Sequence, residues 1–360
     1  MTEVVLQGSN RAEVRAATRP RVVHVTESFA SGTAAAIRDY ARNYPAAEHH
    51  LVYASRSEAV VSPLEFTGFN SVTELPPGHL ARIRFLRRSM AEVDRPVIVH
   101  AHSSKAGVYV RLALRGSVTP IIYTPHCYAF ERLDISWPVR QSFRAVEWLL
   151  SFNTTCFAPC SPREEELSRW PISRPRVAVV PSVPPAGLVD QRARSSGLTV
   201  RIAGNGRVGK QKDPVFFAEA VMAAAKDLPD IKAVWIGGGD AELVDYLTSR
   251  GIEVTGWLPR REALGMLSTC DVYLHTALWE GFPISILEAN AAGLPVIARN
   301  RPYLSGFDMP TVIDSPHQLR DALAKATGRS GDTREALSRN SDEYQRISLA
   351  ALYAPYAGVV

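Results

Sequence analysis

Thr199-Val200-Arg201-Ile202-Ala203 runs directly into Gly204-Asn205-Gly206. A short β-rich run that stops at glycines reads as a strand meeting a tight turn. Residues 213–225 then read as a helix, and a second strand at residues 233–236 stops at Gly237-Gly238-Gly239. Strand, glycine turn, helix and strand in succession is the pattern of a parallel sheet with crossover helices. The alternation continues outward in both directions. Downstream come the short Glu253-Val254, a strand at 272–275, a helix at 284–292 stopped by Gly293, and Pro295-Val296-Ile297. Upstream lie a strand at 22–25, a loop at 27–32, a helix at about 33–44, and strands at 51–53, 97–100, 121–124 and 177–180. Between the two series, Pro181-Ser182-Val183-Pro184-Pro185 and the polar residues through Ser196 read as a linker. Glycines after strands mark the carboxyl edge of an open α/β sheet, where ligands bind. The expectation is an α/β protein of two Rossmann-like domains facing across a cleft, over residues 21–185 and 186–340.

With 360 residues the chain is of a size for two domains. No apolar run approaches the roughly 20 residues of a membrane helix. Residues 1–20 lack the apolar stretch of a secretory signal and read as a loosely ordered tail. Four cysteines are too few for a disulfide framework, so a reducing cytoplasm is expected. Cys156 and Cys160 are spaced to share a helix face, but no second ligand pair accompanies them, and buried thiols are the reading. The net charge of +5 comes from Arg, with six Lys in the chain. Such charge suits phosphorylated ligands or an anionic membrane. Nucleic acid is disfavoured, because no recognition motif appears and aromatics are not interleaved with the basic residues.

The stretch Glu280-Gly281-Phe282-Pro283-Ile284-Ser285-Ile286-Leu287-Glu288 carries the chemistry. Gly281 and Pro283 let the backbone turn around a ligand and then start a helix. Amides at Phe282 and Ile284 would face the cleft at that helix N-terminus, suited to hydroxyls or phosphate. Glu280 sits in the loop and Glu288 on the helix, so the two carboxylates can grip different parts of one extended ligand. A capped amphipathic helix with solvated carboxylates is the plainer alternative.

The run from Glu280 to Pro295 resembles the E-x7-E signature of glycosyltransferase family 4, retaining enzymes of the GT-B fold. Gly206-Arg207 with Lys212 resembles the family's diphosphate element. Gly237-Gly238-Gly239-Asp240 resembles its strand–glycine turn, and Gly256-Trp257-Leu258 the start of its base-binding region. Residues 100–107, Thr124-Pro125-His126 and residues 27–32 resemble elements of its first domain. The resemblance implies a nucleotide-sugar donor, linked to UDP or GDP, and transfer to a hydroxyl of a saccharide or lipid-linked acceptor in polysaccharide or glycoconjugate assembly. It implies that Glu288 takes the ribose hydroxyls and Glu280 the sugar, with His126 beside the sugar. Arg207 and Lys212 would stabilise the leaving diphosphate in place of a metal. Gly32 would admit backbone amides to the diphosphate from the first domain. It further implies that a C-terminal helix within residues 341–360 crosses back to the first domain. Two departures stand out: members often have His-Gly at His126-Cys127, and Pro-Asn-Gly at Pro181-Ser182-Val183.

Other readings are weaker. Residues 204–210 match a P-loop up to Lys210, but Gln211 lacks the hydroxyl that holds Mg²⁺. His100 and His102 flank one residue at a strand end, are expected to point to opposite sides, and have no acidic partner nearby, and so suggest no metal site. The helix at 80–93, with Arg82, Arg84, Arg87 and Arg88, could rest on an anionic bilayer, or simply present a solvated arginine face. The rival functions are a sugar-nucleotide epimerase of the same fold and a catalytically silent nucleotide-sugar sensor.

Overall fold

The computed structural model describes residues 19–29, 31–54, 66–92, 97–185, 199–326 and 330–357. The tail expected over 1–20 lies outside them but for its last two residues, as does the polar part of the expected linker. Among the described residues two parallel sheets form. The first holds β1 (Arg21–Thr26), β2 (Glu48–Tyr53), β3 (Ser71–Glu74), β4 (Val97–His102), β5 (Ile121–Thr124), β6 (Cys156–Phe157) and β7 (Arg176–Val177), in the order β3-β2-β1-β4-β5-β6-β7. The second holds β8 (Val200–Asn205), β9 (Ile231–Ile236), β10 (Glu253–Val254), β11 (Val272–His275), β12 (Val296–Arg299) and β13 (Val312–Ile313), in the order β10-β9-β8-β11-β12-β13. Strand order reverses at β1/β4 and again at β8/β11, which places a ligand crevice at the carboxyl ends of those strands. The fold is therefore the expected pair of Rossmann-like domains.

Helices cover the sheets: α1 (Ser31–Asn43), α2 (His79–Ala91), α3 (Ser104–Ala113), α4 (Trp137–Ser151) and α5 (Pro162–Ser168), then α6 (Pro214–Ala225), α7 (Ala241–Thr248), α8 (Arg260–Ser268), α9 (Ile284–Ala291), α10 (Leu319–Ala326), α11 (Ser330–Ala336) and α12 (Asp342–Tyr353). Central strands carry buried apolar residues on both faces because both are covered. Val23, Val25, Val99 and Tyr123 pack on one side of the first sheet, and Val22, Ile98, Ile122 and Tyr40 on the other. In the second domain, Asp213 caps α6 by accepting from the Phe216 amide at 3.2 Å, with Pro214 in the first turn. Phe217 then meets Trp235 edge-on, ring centroids 5.2 Å apart. A Cβ on Gly204 would lie 2.8 Å from the Trp235 ring, so this contact depends on glycine.

The final helix returns to the first sheet. In α12, Leu349, Leu352 and Tyr353 join the Val22–Ile98 cluster. Asp342 pairs with Arg42 at 2.7 Å, and Gln345 donates to the Pro181 carbonyl at 2.7 Å. The neighbouring Ser182 carbonyl accepts from Asn340 at 2.9 Å. Polar side chains thus hold the segment that departs from Pro-Asn-Gly.

Helix α4 is inside out. Its inward face carries Glu147, which takes Arg111 at 2.8 Å and the Tyr123 hydroxyl at 3.0 Å. Its outward face carries Val139, Phe143, Val146 and Leu149, all exposed, with Trp137 and Phe152 at its ends. The arginine-rich α2 is less free than its sequence suggests. Arg82 donates to the Pro76 carbonyl at 3.0 Å, and Arg87 to those of Ala113 and Leu112 at 3.3 and 3.2 Å. Cys156 and Cys160 share no helix, since the first lies in β6 and the second in the loop after it. All four cysteines are free thiols.

Candidate active site

The loops after β8 and β9 lock together. Gly206 N donates to the Ile236 carbonyl and Val208 N to that of Gly238, both at 2.9 Å, while Trp235 Nε1 donates to the Gly206 carbonyl at 2.8 Å. Gly206 and Gly237 have φ of 124° and 139°, left-handed values that favour glycine. A Cβ on Gly237 would lie 2.2 Å from the Gly206 oxygen. This framework carries exposed Arg207 at its tip and leads to Lys212.

Lys212 Nζ lies 2.6 Å from Glu280 Oε1, with both side chains mostly buried. Two of the charged candidates are thus an ion pair, positioned by backbone ties. Thr276 Oγ1 donates to the Lys212 carbonyl at 2.6 Å, and Gln211 Nε2 to that of Trp279 at 3.0 Å. Glu288 points from α9 to a separate group: Oε1 accepts from Arg260 at 3.0 Å and Oε2 from Asn205 Nδ2 at 3.1 Å. Gly256, at φ 70°, and the exposed Trp257 lie on the loop that leads to Arg260, the first residue of α8. Phe282 is buried against Phe307, Pro283 caps α9, and Ile284 opens it.

From the other side, the first domain meets this site directly. Gly32, in the first turn of α1, faces Ile284, whose Cδ1 would be 3.3 Å from a Cβ there. Two helix N-termini therefore approach one another, a favourable setting for an anion. Gly281 abuts His126-Cys127, where a Cβ would lie 2.5 Å from Cys127 N. Ser161 donates to the Gly281 carbonyl at 2.8 Å. His126 and Cys127 take φ of 49° and 94°, which explains why glycine suits position 127. Glu164 supports this turn: it accepts from Cys127 N at 2.5 Å and Cys160 N at 3.0 Å. Burial raises the Glu164 carboxyl above its usual range. Burial, with Glu280 and Glu164 nearby, also pushes the Cys127 thiol well up, so it is no thiolate nucleophile at neutral pH.

Behind His126 runs a histidine chain that the sequence reading missed. His126 Nε2 lies 3.0 Å from His102 Nδ1, His102 Nε2 3.0 Å from His24 Nδ1, and His24 Nε2 2.9 Å from His49 Nδ1. His49 Nε2 meets the Tyr44 carbonyl at 2.8 Å. His100 stacks on His102 at 4.1 Å. The expectation that His100 and His102 face opposite sides is thus corrected: residues two apart on a strand share a face. The argument from orientation against a metal falls with it, since His24, His100 and His102 present ring nitrogens within 4.8 Å of one another, while no carboxylate among the described residues joins that group. Glu164, Asn205 and Arg260 were also missed. Ser161-Pro162-Arg163-Glu164 has capping-box spacing, and only that local role was legible.

Residues 199–327 match the family described as "Glycosyl transferases group 1", and residues 31–182 match "Glycosyl transferase 4-like domain". UDP-Gal:alpha-D-GlcNAc-diphosphoundecaprenol alpha-1,3-galactosyltransferase of Escherichia coli is 30% identical over 231 residues, covering 56% of this chain. The match spans only 57% of that enzyme's length. A 41.2 kDa protein of the cps region of Klebsiella pneumoniae is 24% identical over 297 residues, 78% of this chain and 80% of its own. The structure of Anabaena HepE in complex with UDP-glucose has a TM-score of 0.72 at 16% identity, over 93% of this chain and 99% of that one. This last likeness shows the GT-B fold alone. The two family matches between them take in both sheets and both sides of the cleft, and the chain belongs to the group 1 glycosyltransferases.

Proposed function

We propose that this protein transfers a sugar, with retention, from a UDP-linked donor to a hydroxyl of a saccharide carried on a lipid diphosphate, in the assembly of a surface polysaccharide. The observation that carries this reading is the convergence of Lys212–Glu280 and Arg260–Glu288–Asn205 at the strand ends of the second sheet, opposite Gly32 and His126. The E. coli relative's name supplies the UDP donor and the lipid diphosphate. Without ligand, Lys212 is held by Glu280. An incoming diphosphate draws Lys212 away and frees Glu280 for sugar hydroxyls. Arg207 joins Lys212 in stabilising charge on the leaving phosphate, so no metal is required for that task. Glu288 accepts the ribose hydroxyls by exchanging Arg260 for them.

The lipid-linked acceptor fits the outward face of α4. Val139, Phe143, Val146 and Leu149 offer apolar area to the acyl boundary, and exposed Arg84, Arg88 and Arg144 offer charge to anionic headgroups. Among the described residues no helix is long and apolar enough to cross a membrane, so contact would be at the surface.

A thermal-shift panel of nucleotide sugars tests the donor site, because a ligand of the folded state alone raises its melting temperature. UDP-sugars are expected to raise it, and Glu288→Ala to abolish most of the shift. No shift with any UDP-sugar, or an undiminished shift in Glu288→Ala, would overturn the assignment.

A further inference from the structure

We propose that the chain His49–His24–His102–His126 is a one-way hydrogen-bond relay that fixes His126 as the Nε2–H tautomer, so that its Nδ1 offers the cleft a lone pair and never a proton. His102, His24 and His49 are then positioning residues that act through His126. The choice of a sugar hydroxyl as the group that donates to Nδ1 rests on the proposed function; the tautomer does not.

The polarity follows from the far end of the chain. The Tyr44 carbonyl can only accept, so His49 Nε2, 2.8 Å away, must carry hydrogen. A neutral imidazole has one N–H, which leaves His49 Nδ1 as an acceptor. Its partner at 2.9 Å, His24 Nε2, must therefore donate. The same step makes His24 Nδ1 accept from His102 Nε2 at 3.0 Å. It then makes His102 Nδ1 accept from His126 Nε2 at 3.0 Å. One backbone carbonyl in the loop before β2 thus sets the tautomer of a ring at the cleft, through three others.

Neutrality is the premise, and burial supplies it. His24 and His102 are driven well below the usual histidine range, His49 is lowered, and His126 is lowered to about 4, with burial the first cause each time. The hydrogen bonds at the ring nitrogens run to other rings and one carbonyl, and no carboxylate takes part. His100 braces the chain from outside it, with its nitrogens on the Tyr353 hydroxyl at 2.7 Å and Thr124 Oγ1 at 2.8 Å. A cation bound by His24, His100 and His102 would have to break these bonds.

The consequence is specific. His126 Nδ1 has no hydrogen bond among the described residues, and the ring is half-buried at the cleft. Fixed as an acceptor, it favours a ligand group that donates, such as a hydroxyl, over a carbonyl or phosphate oxygen. The relay also cannot export a proton from the cleft, because a carbonyl does not take one up. His126 orients the sugar and is not the base that deprotonates the acceptor.

Two-bond ¹H–¹⁵N correlation spectra of the full chain labelled with ¹⁵N-histidine read each tautomer directly. All four rings are expected as Nε2–H at neutral pH. In His49→Phe, which removes the terminus, His126 is expected to become a mixture of tautomers. The donor KM should then rise about 5- to 10-fold, with kcat and UDP affinity changed less than twofold. His49→Gln, whose amide can donate to Tyr44 and accept from His24, should restore both readouts. A wild-type His126 found as Nδ1–H or as imidazolium would overturn the proposal. So would an unchanged His126 tautomer in folded His49→Phe, or tight binding of Zn²⁺ that shifts the His24, His100 and His102 signals together.

Discussion

A Cβ at position 281 would meet Cys127 N and Glu164 Oε1, each at 2.5 Å, and neither the turn nor the buried carboxylate can yield cheaply. Gly281→Ala should therefore hold the domains apart and lower turnover at least 100-fold, while circular dichroism remains that of the folded protein. Cys127→Gly should act in the other direction, relieving a φ of 94° and stabilising the fold by about 1 kcal/mol. Steady-state turnover checks the first and urea denaturation the second, and a destabilised Cys127→Gly would contradict the strain. At this scale the sequence was legible where a residue's role is carried by its own motif. Lys212 and Glu280 were singled out separately, and they lie 2.6 Å apart. It was not legible where a residue acts at a distance in sequence. Glu164 reads as a helix cap yet holds the turn at Cys127, and Arg260 carries no signal of its pairing with Glu288.

Among the elements, the longer apolar strands announced themselves, and so did the two-residue β10, whereas β6 and β13 are too short to show a period of two. The strand expected at 177–180 meets β7 only at Val177, and β3 is exposed throughout. Helix α4 misleads for another reason. Its apolar positions have helical spacing and would be read as a core stripe, whereas the structure turns them outward and buries Arg111–Glu147 beneath. The membrane reading of the arginine-rich helix therefore needs α4 as well. The double variant Phe143→Asp with Val146→Asp is expected to abolish sedimentation with anionic phospholipid vesicles. Stability should change by less than about 0.5 kcal/mol, as for surface sites. Undiminished vesicle binding would remove α4 from the membrane surface.

Across the whole molecule, protonation couples the histidine chain to stability. Burial lowers the pKa of His24, His49, His50, His100, His102, His126 and His275. Below about pH 6.5 the unfolded chain binds protons at these sites that the folded chain refuses. Stability is therefore fully present above that pH and is lost as pH falls towards about 4, the value for His126. Asp39, raised to about 6, and Glu164 oppose this, because there the folded state binds protons first. Seven groups outweigh two, so the unfolding free energy should fall between pH 6.5 and 4.5 with a net uptake of more than one proton, at about 1.4 kcal/mol per proton per pH unit. A flat profile across that window would show the histidines to be charged or exposed.

The reading of the cleft as a donor site is tested most directly by transfer itself. Protein is incubated with a UDP-sugar and a polyprenyl-diphosphate saccharide, and the product is read by mass spectrometry and by the anomeric configuration of the new linkage. The proposed function predicts an acceptor heavier by one sugar, joined with the donor's anomeric configuration. Lys212→Ala should form it at least 100-fold more slowly. An isomerised donor with no extended acceptor, an inverted linkage, or full activity in Lys212→Ala would contradict it.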